Sequence, residues 1–127
     1  MEVEINYEKV DDYGKMSQYF KDEDIDYSQE TNHYGEFYGW DNGIVKFTVN
    51  ENIDKGNLLI FSNSYSNAIN KLIASNYNQT YVIDVRFYEA EVGEKFDFER
   101  FVNDNNIDKI LFITNDYYYL NPDNYIK

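Results

Sequence analysis

Ser64, Asn63 and Arg86 are the residues of this 127-residue chain whose types and spacing can do chemistry together. Ser64 lies in the polar turn Ser62–Asn63–Ser64–Tyr65–Ser66, directly after the apolar run Leu58 to Phe61. Arg86 directly follows a second apolar run, Tyr81 to Val85. A serine hydroxyl becomes a nucleophile once a neighbouring base takes its proton. An asparagine amide can donate to the oxyanion that forms on an attacked ester. A guanidinium can hold an anionic group or that oxyanion. The set points to ester or acyl chemistry. The fourth candidate is His33, the only histidine, in Asn32-His33-Tyr34-Gly35. Imidazole titrates where acid–base catalysis needs it, and a loop rich in glycine and aromatics could fold it over Ser64. Each residue also has a plainer role. Ser64 can form the turn and help cap a helix, Asn63 can satisfy that turn, and Arg86 can pair with one of the many carboxylates.

The elements that must position these residues follow from periodicity. Asn57 to Phe61 reads as a strand, and Ser66 as the N-cap of the next helix. In that helix Ile69, Leu72, Ile73 and Asn76 follow helical spacing, with Tyr65 one turn before, while Asn70 and Lys71 face away. Thr80 to Val85 has a continuous apolar centre, as a strand covered on both faces would. Asp97 caps a second helix with Phe98, Phe101 and Val102 on one face, and Ile110 to Ile113 is a third buried strand. This βαβαβ order predicts parallel strands with right-handed crossovers. Ligands then gather at the carboxyl ends of the strands, the rim that carries both Ser64 and Arg86. Asp84 reads as a local cap or ion-pair partner. Asp116 lies at the same rim, with no histidine beside it to orient.

The first third is less regular. Glu2 to Tyr7 and Ile44 to Val49 alternate as strands do, and Asp41-Asn42-Gly43 is a turn signal. Asp22, Asp24 and Asp26 resemble the start of a calcium loop, but Tyr27 follows and no Glu closes the motif, so a solvated loop is expected. Trp40 with Tyr34, Phe37 and Tyr38 suits either a carbohydrate-stacking platform or a packing clamp over a sheet edge, and the clamp is favoured. A single domain is expected, with arm and loops over 1–43, the βαβαβ core over 44–120 and a tail over 121–127.

Composition narrows the partners. Net charge is −13, so nucleic acid and acidic membrane surfaces are poor partners. There is no Cys, which excludes disulfides, thiolate metal sites and a Cys nucleophile. No apolar stretch approaches a membrane span, and Met1-Glu2-Val3-Glu4 lacks the basic start of a signal peptide. The aromatic content, 14 Tyr and 9 Phe, supplies enough ring surface for a packed core. No metal or cofactor is implied.

The segments LLIFSNSYSNAI, TYVIDVRFY and NIDKILFI resemble the C-terminal part of the bacterial DHHW proteins, which are similar to the SGNH-type O-acetyltransferases of the alginate machinery. The resemblance runs from Asn32 to about Leu120. It implies a three-layer, flavodoxin-like or SGNH-like α/β partial domain with a short, mostly parallel sheet and an aromatic N-terminal arm. It places the nucleophile at Ser64, and an Asp-x-Arg at Asp84 and Arg86. It further implies an acylated glycan as partner and a cell-envelope or secreted setting. The family's Gly-Asp before the serine is Ser62-Asn63 in this chain. Its upstream Asp-x-His-Trp, which supplies the base, has no counterpart, and His33 does not match it. The expectation is therefore half of an ester- or acyl-transfer domain, inactive or nearly so. The competing expectation is a non-catalytic α/β module that binds a glycan or protein, or homodimerises through an unfinished sheet edge. A phosphate-binding or receiver-like domain is disfavoured. The turn after Phe61 is poor in glycine, and no acidic pair follows that strand.

Overall fold

The computed structural model describes residues 1–11, 13, 41–114 and 125–127. Six strands form one sheet: β1 (Glu2–Ile5), β2 (Glu8–Val10), β3 (Ile44–Thr48), β4 (Asn57–Ser62), β5 (Gln79–Ile83) and β6 (Ile107–Ile113). The helices are α1 (Asn67–Ala74), α2 (Val85–Val92) and α3 (Phe98–Asp104). Strand order is β2-β1-β3-β5-β4-β6. The expected parallel pairing is present, with β4 parallel to both β5 and β6, but β6, expected as a buried strand, is exposed at Ile110, Leu111 and Phe112. The other half is not parallel: β1 pairs antiparallel with β2 and β3, and β3 with β5. The sheet is thus mixed rather than mostly parallel. Residues 2–10, expected as part of an arm, form a hairpin that extends the sheet, and Val3 is buried.

Alternation along β4 and β5 splits the core in two. Leu59, Phe61, Tyr81 and Ile83 pack on one face with Val85 and Tyr88 of α2 and Phe101 of α3. Leu58, Ile60 and Val82 pack on the other with Val45, Phe47 and Ala74 of α1. Strands covered on both faces must be apolar at every position, which accounts for the unbroken runs in the sequence.

Two expectations about this region are corrected. The first concerns Val85 and Arg86. β5 ends at Ile83, and Asp84 caps α2, its carboxylate accepting from the Arg86 N–H at 3.1 Å. Val85 is therefore buried from a helix, and Arg86 sits in the first helical turn rather than at a strand end. Val85, Tyr88 and Val92 recur at helical spacing, and Gly93, at φ 92°, closes the helix in the left-handed conformation.

The second correction concerns α1. Its inward stripe is Ser66, Asn70 and Ala74, with Asn70 fully buried at 0% exposure. Leu72, expected inside, is 71% exposed, and Ile69 and Tyr65 are exposed too. Small and polar residues let the helix approach the sheet, and the Ser62 and Ser66 hydroxyls hydrogen-bond each other across that contact. Nor does Ser66 cap the helix through its side chain. Asn63 caps the preceding 3-10 turn, Ser64–Ser66, accepting from the Tyr65 N–H at 3.0 Å.

Asp97 caps α3 as expected, accepting from the Arg100 N–H at 3.1 Å. Asp97→Ala should cost about 1 kcal/mol, the usual worth of an N-cap. In urea unfolding this appears as a lower midpoint at unchanged slope.

Candidate functional site

Asn63, Ser64 and Arg86 all follow the carboxyl ends of β4 and β5. The two strands are in parallel register, with Phe61 beside Ile83, so Ser62 and Asp84 leave the sheet together. Ser64 opens the 3-10 turn two residues after β4, and Arg86 lies in the first turn of α2. The fold brings Asn63, Ser64, Asp84 and Arg86 to one edge. His33 and Asp116 lie outside the described residues, as do Trp40, Tyr34, Phe37, Tyr38 and the Asp22–Asp26 loop.

Arg86 is held by two carboxylates. Its Nε donates to Asp84 Oδ1 at 2.9 Å and to Oδ2 at 3.1 Å, and one terminal nitrogen reaches Asp84 Oδ2 at 2.5 Å. The same nitrogen donates to Asp41 Oδ2 at 2.9 Å. The guanidinium carbon also lies 5.0 Å from the centre of the Phe87 ring. Asp41 in turn accepts from the Asn67 side-chain amide at 3.4 Å, at the start of α1. One polar chain, Asn67–Asp41–Arg86–Asp84, thus ties together the first turns of α1 and α2.

Asp41 is the residue that sequence reading missed. It comes to the rim because Gly43 lies against α2. A Cβ at Gly43 would sit 2.8 Å from the Tyr88 Cα, a backbone contact that cannot yield. The Gly43 N–H donates to Glu91 Oε2 at 2.5 Å, and its carbonyl accepts from the Asp84 N–H at 3.0 Å. The sequence signal was the turn Asp41-Asn42-Gly43. It marks where the chain bends but not which arginine the aspartate will meet.

Burial raises the pKa of Asp84 above the ordinary carboxylate value. The Arg86 hydrogen bonds and charge pull it back, and the Asp41 charge adds to the rise. The pair is therefore a strut whose acidic member pays for its desolvation and leans on the arginine for compensation.

Around Ser64 the geometry is simpler. Asn63 is buried, and its side-chain oxygen is taken by the Tyr65 N–H. That orientation leaves its NH₂ as the end available to donate. The Ser66 N–H is taken by the Asn63 carbonyl at 3.2 Å. Ser64 is half-buried, and its hydroxyl makes no side-chain hydrogen bond among the described residues. Among the described residues, a serine in that state has its neighbours in place but no base to take its proton. Two cavities, of about 400 Å³ beside Val3 and Lys71 and about 250 Å³ beside Tyr88 and Arg100, lie away from this rim. Among the described residues no group of acidic or imidazole side chains could hold a metal ion, and no helix is long and apolar enough to cross a membrane.

No protein-family model matches the chain, and no curated protein matches it. Solved structures do. A DHHW family protein from Eubacterium siraeum is 30% identical at a TM-score of 0.55, over 71% of this chain and 27% of its own. PatB1 from Bacillus cereus is 25% identical at a TM-score of 0.58, over 72% of this chain and 28% of its own. PatB1 carrying a sulfonyl adduct is 26% identical at 0.56, over 67% and 27%. The chain is similar to these proteins in sequence and fold and spans little more than a quarter of their length.

Proposed function

We propose that this chain is an SGNH-like α/β domain of acyl-transfer type, with Ser64 in the nucleophile position, that turns over esters poorly or not at all by itself. The observation that carries the proposal is the shared carboxyl rim of β4 and β5, from which the Ser64 turn and the Asp84–Arg86 pair both follow. The likeness to PatB1 and to a DHHW family protein supports it. In this reading Ser64 attacks the carbonyl carbon of an acyl ester, and the Asn63 NH₂ donates to the oxyanion that forms. Arg86 holds the rim together through Asp84 and Asp41, and any hold on substrate comes second to that. The acyl donor or acceptor is a glycan of the cell envelope. The missing step is activation: removal of the Ser64 proton needs a base, and His33 is the only imidazole in the chain.

The second reading, a non-catalytic binding module, is favoured by the occupied guanidinium and by a Ser64 hydroxyl without a hydrogen-bonded base among the described residues. Hydrolysis of p-nitrophenyl acetate by the wild type, Ser64→Ala and His33→Ala separates the two. The expected result is turnover at or close to the buffer rate in all three. Turnover abolished by Ser64→Ala alone establishes the nucleophile and assigns its base elsewhere. Loss in both variants assigns the base to His33. Mass spectrometry after a sulfonyl fluoride gives an independent readout, because sulfonylation needs an activated hydroxyl.

A further inference from the structure

The smaller cavity, of about 250 Å³, lies between the turn that joins β1 to β2 and the helices α2 and α3, and all of its lining residues are described. Tyr88 of α2 and Phe101 of α3 supply its buried lining, and Tyr7, 57% exposed, supplies its outer side. The Tyr7 and Tyr88 hydroxyls stand 3.5 Å apart. One bond between two hydroxyls uses one proton and one lone pair, which leaves both oxygens able to accept from a guest.

Tyr7 stands where glycine would be unstrained. Asn6 and Tyr7 form the two-residue turn between β1 and β2, with φ of 49° and 67°, both in the left-handed region. Such a turn favours Asn-Gly, and only Asn6 fits that preference. A larger side chain in that conformation lowers stability and persists where the surroundings fix it, ligand clamps among them. The surroundings do fix it. The Asn6 N–H donates to the Ile44 carbonyl at 3.0 Å, and Asn6 Oδ1 accepts from the Ile44 N–H at 3.3 Å. The turn thus holds a phenol against the cavity in place of the residue that suits its backbone.

The charged groups of the lining differ in what already occupies them. Glu94 is paired with Arg100. Asp97 accepts from the Arg100 N–H as the cap of α3 and lies 4.0 Å from Lys127 Nζ. Asp104 acts on Arg100 only through space, and makes neither a hydrogen bond nor an ion pair among the described residues. What remains for a guest is one carboxylate and two phenol oxygens, beside the rings of Tyr7, Tyr88 and Phe101.

We infer that this cavity binds a small primary amine in its ammonium form. An ammonium carries three donors and no acceptor, which matches one carboxylate and two hydroxyl oxygens. Its charge is drawn to aromatic faces as well. The volume falls below the about 300–1,000 Å³ of sites for drug-sized ligands, so the guest is small. An anion would meet Asp104 directly, whereas the net charge of −13 raises the concentration of cations around the protein. A metal ion would need more ligands than one free carboxylate, and among the described residues no such group exists. The inference does not depend on Ser64 chemistry.

Nuclear magnetic resonance of the nitrogen-15-labelled full chain tests it, with n-butylammonium chloride as the probe and tetramethylammonium chloride and sodium chloride at matched ionic strength beside it. The amides of Tyr88, Phe101 and Asn105 should shift and saturate with n-butylammonium. Tetramethylammonium, which has no donor, should bind at least tenfold more weakly, and sodium chloride should give no saturable shift. Asp104→Asn should weaken n-butylammonium binding at least tenfold. Tyr7→Gly, which suits the turn, should weaken it at least threefold while the circular dichroism spectrum stays native. Glu51→Gln removes the same charge at an exposed position outside the cavity and should change nothing. Shifts that fail to saturate into the hundreds of millimolar overturn the inference. So does equal binding of tetramethylammonium, or an Asp104→Asn variant that behaves like Glu51→Gln.

Discussion

Arg86→Ala is expected to destabilise the fold by about 2–3 kcal/mol near neutral pH, and by progressively less as the pH falls. The estimate lies between the near-zero worth of exposed ion pairs and the 3–5 kcal/mol lost when a buried pair is broken. The Asp84 side chain is 7% exposed and that of Arg86 23%, so the site is closer to the buried limit. Removing the guanidinium strands the Asp84 carboxylate where water cannot replace the lost bonds, and leaves Asp41 beside it. The pH dependence follows from the direction of the Asp84 shift, which burial raises and Arg86 lowers. A carboxyl whose folded pKa lies above its unfolded value binds its proton more tightly in the folded state. Its contribution is fully present below the unfolded pKa, about 4, and is lost as pH rises through the folded value. Without Arg86 the folded value rises further, so the loss continues to higher pH and the gap from wild type widens toward neutrality. Urea midpoints for both proteins from acid to neutral pH measure this. Arg86→Lys, which keeps the charge and loses the two-pronged geometry, should fall between them. Asp84→Asn should recover part of the loss in the Arg86→Ala background, because asparagine still caps α2 without a charge. A gap that does not change with pH would assign the loss to packing of the arginine stem on Phe87 instead.

The parallel half of the sheet was legible because β4 and β5 are buried on both faces, and such strands have no polar alternation to confuse them. The cap on α3 was legible for a similar reason: Asp97 is followed at once by an apolar helical pattern. The start of α2 was not, because Val85 is β-branched and continues the apolar run of β5. Only the Asp84 carboxylate, bonded to the Arg86 N–H, decides that the chain turns into a helix at that point. The inward face of α1 was misread because its stripe of Ser66, Asn70 and Ala74 is small and polar. The larger Leu72 and Ile69, which periodicity assigns to the core, are left outside. The site divides along the same line. Topology alone put Ser64, Asn63 and Arg86 just beyond the carboxyl ends of β4 and β5. It did not place Asp41, which is distant in sequence and reaches Arg86 only through the close approach of Gly43 to α2.

Phe61→Ala should be the most damaging single substitution in the described core, at about 3–5 kcal/mol. Phe61 is 1% exposed and closes the end of β4, three residues before Ser64. Its ring meets Phe96 edge-on at 5.4 Å and stacks on Phe112 at 5.1 Å and Phe98 at 6.1 Å. Truncation therefore removes one buried ring and the common partner of three others, on β6, on α3 and on the segment between α2 and α3. Against a total stability of about 5–15 kcal/mol for a domain, that loss brings the fold close to half-unfolded. Phe61→Leu, which keeps most of the volume, should cost about 1–1.5 kcal/mol. Phe112→Ala supplies the internal comparison: that ring is 58% exposed, and its loss should cost no more than about 1–2 kcal/mol. The order Phe61→Ala, then Phe112→Ala, in urea midpoints at unchanged slope is the expected result. Equal losses would mean that Phe61 acts only through its contact with Phe112. The damage should also be directional. Amide exchange should quicken first in the Ser62–Ser66 turn and along β6, which Phe61 anchors, and later in the β1–β3 sheet half beyond β5. Uniform acceleration would mean instead that the loss is felt only through global unfolding.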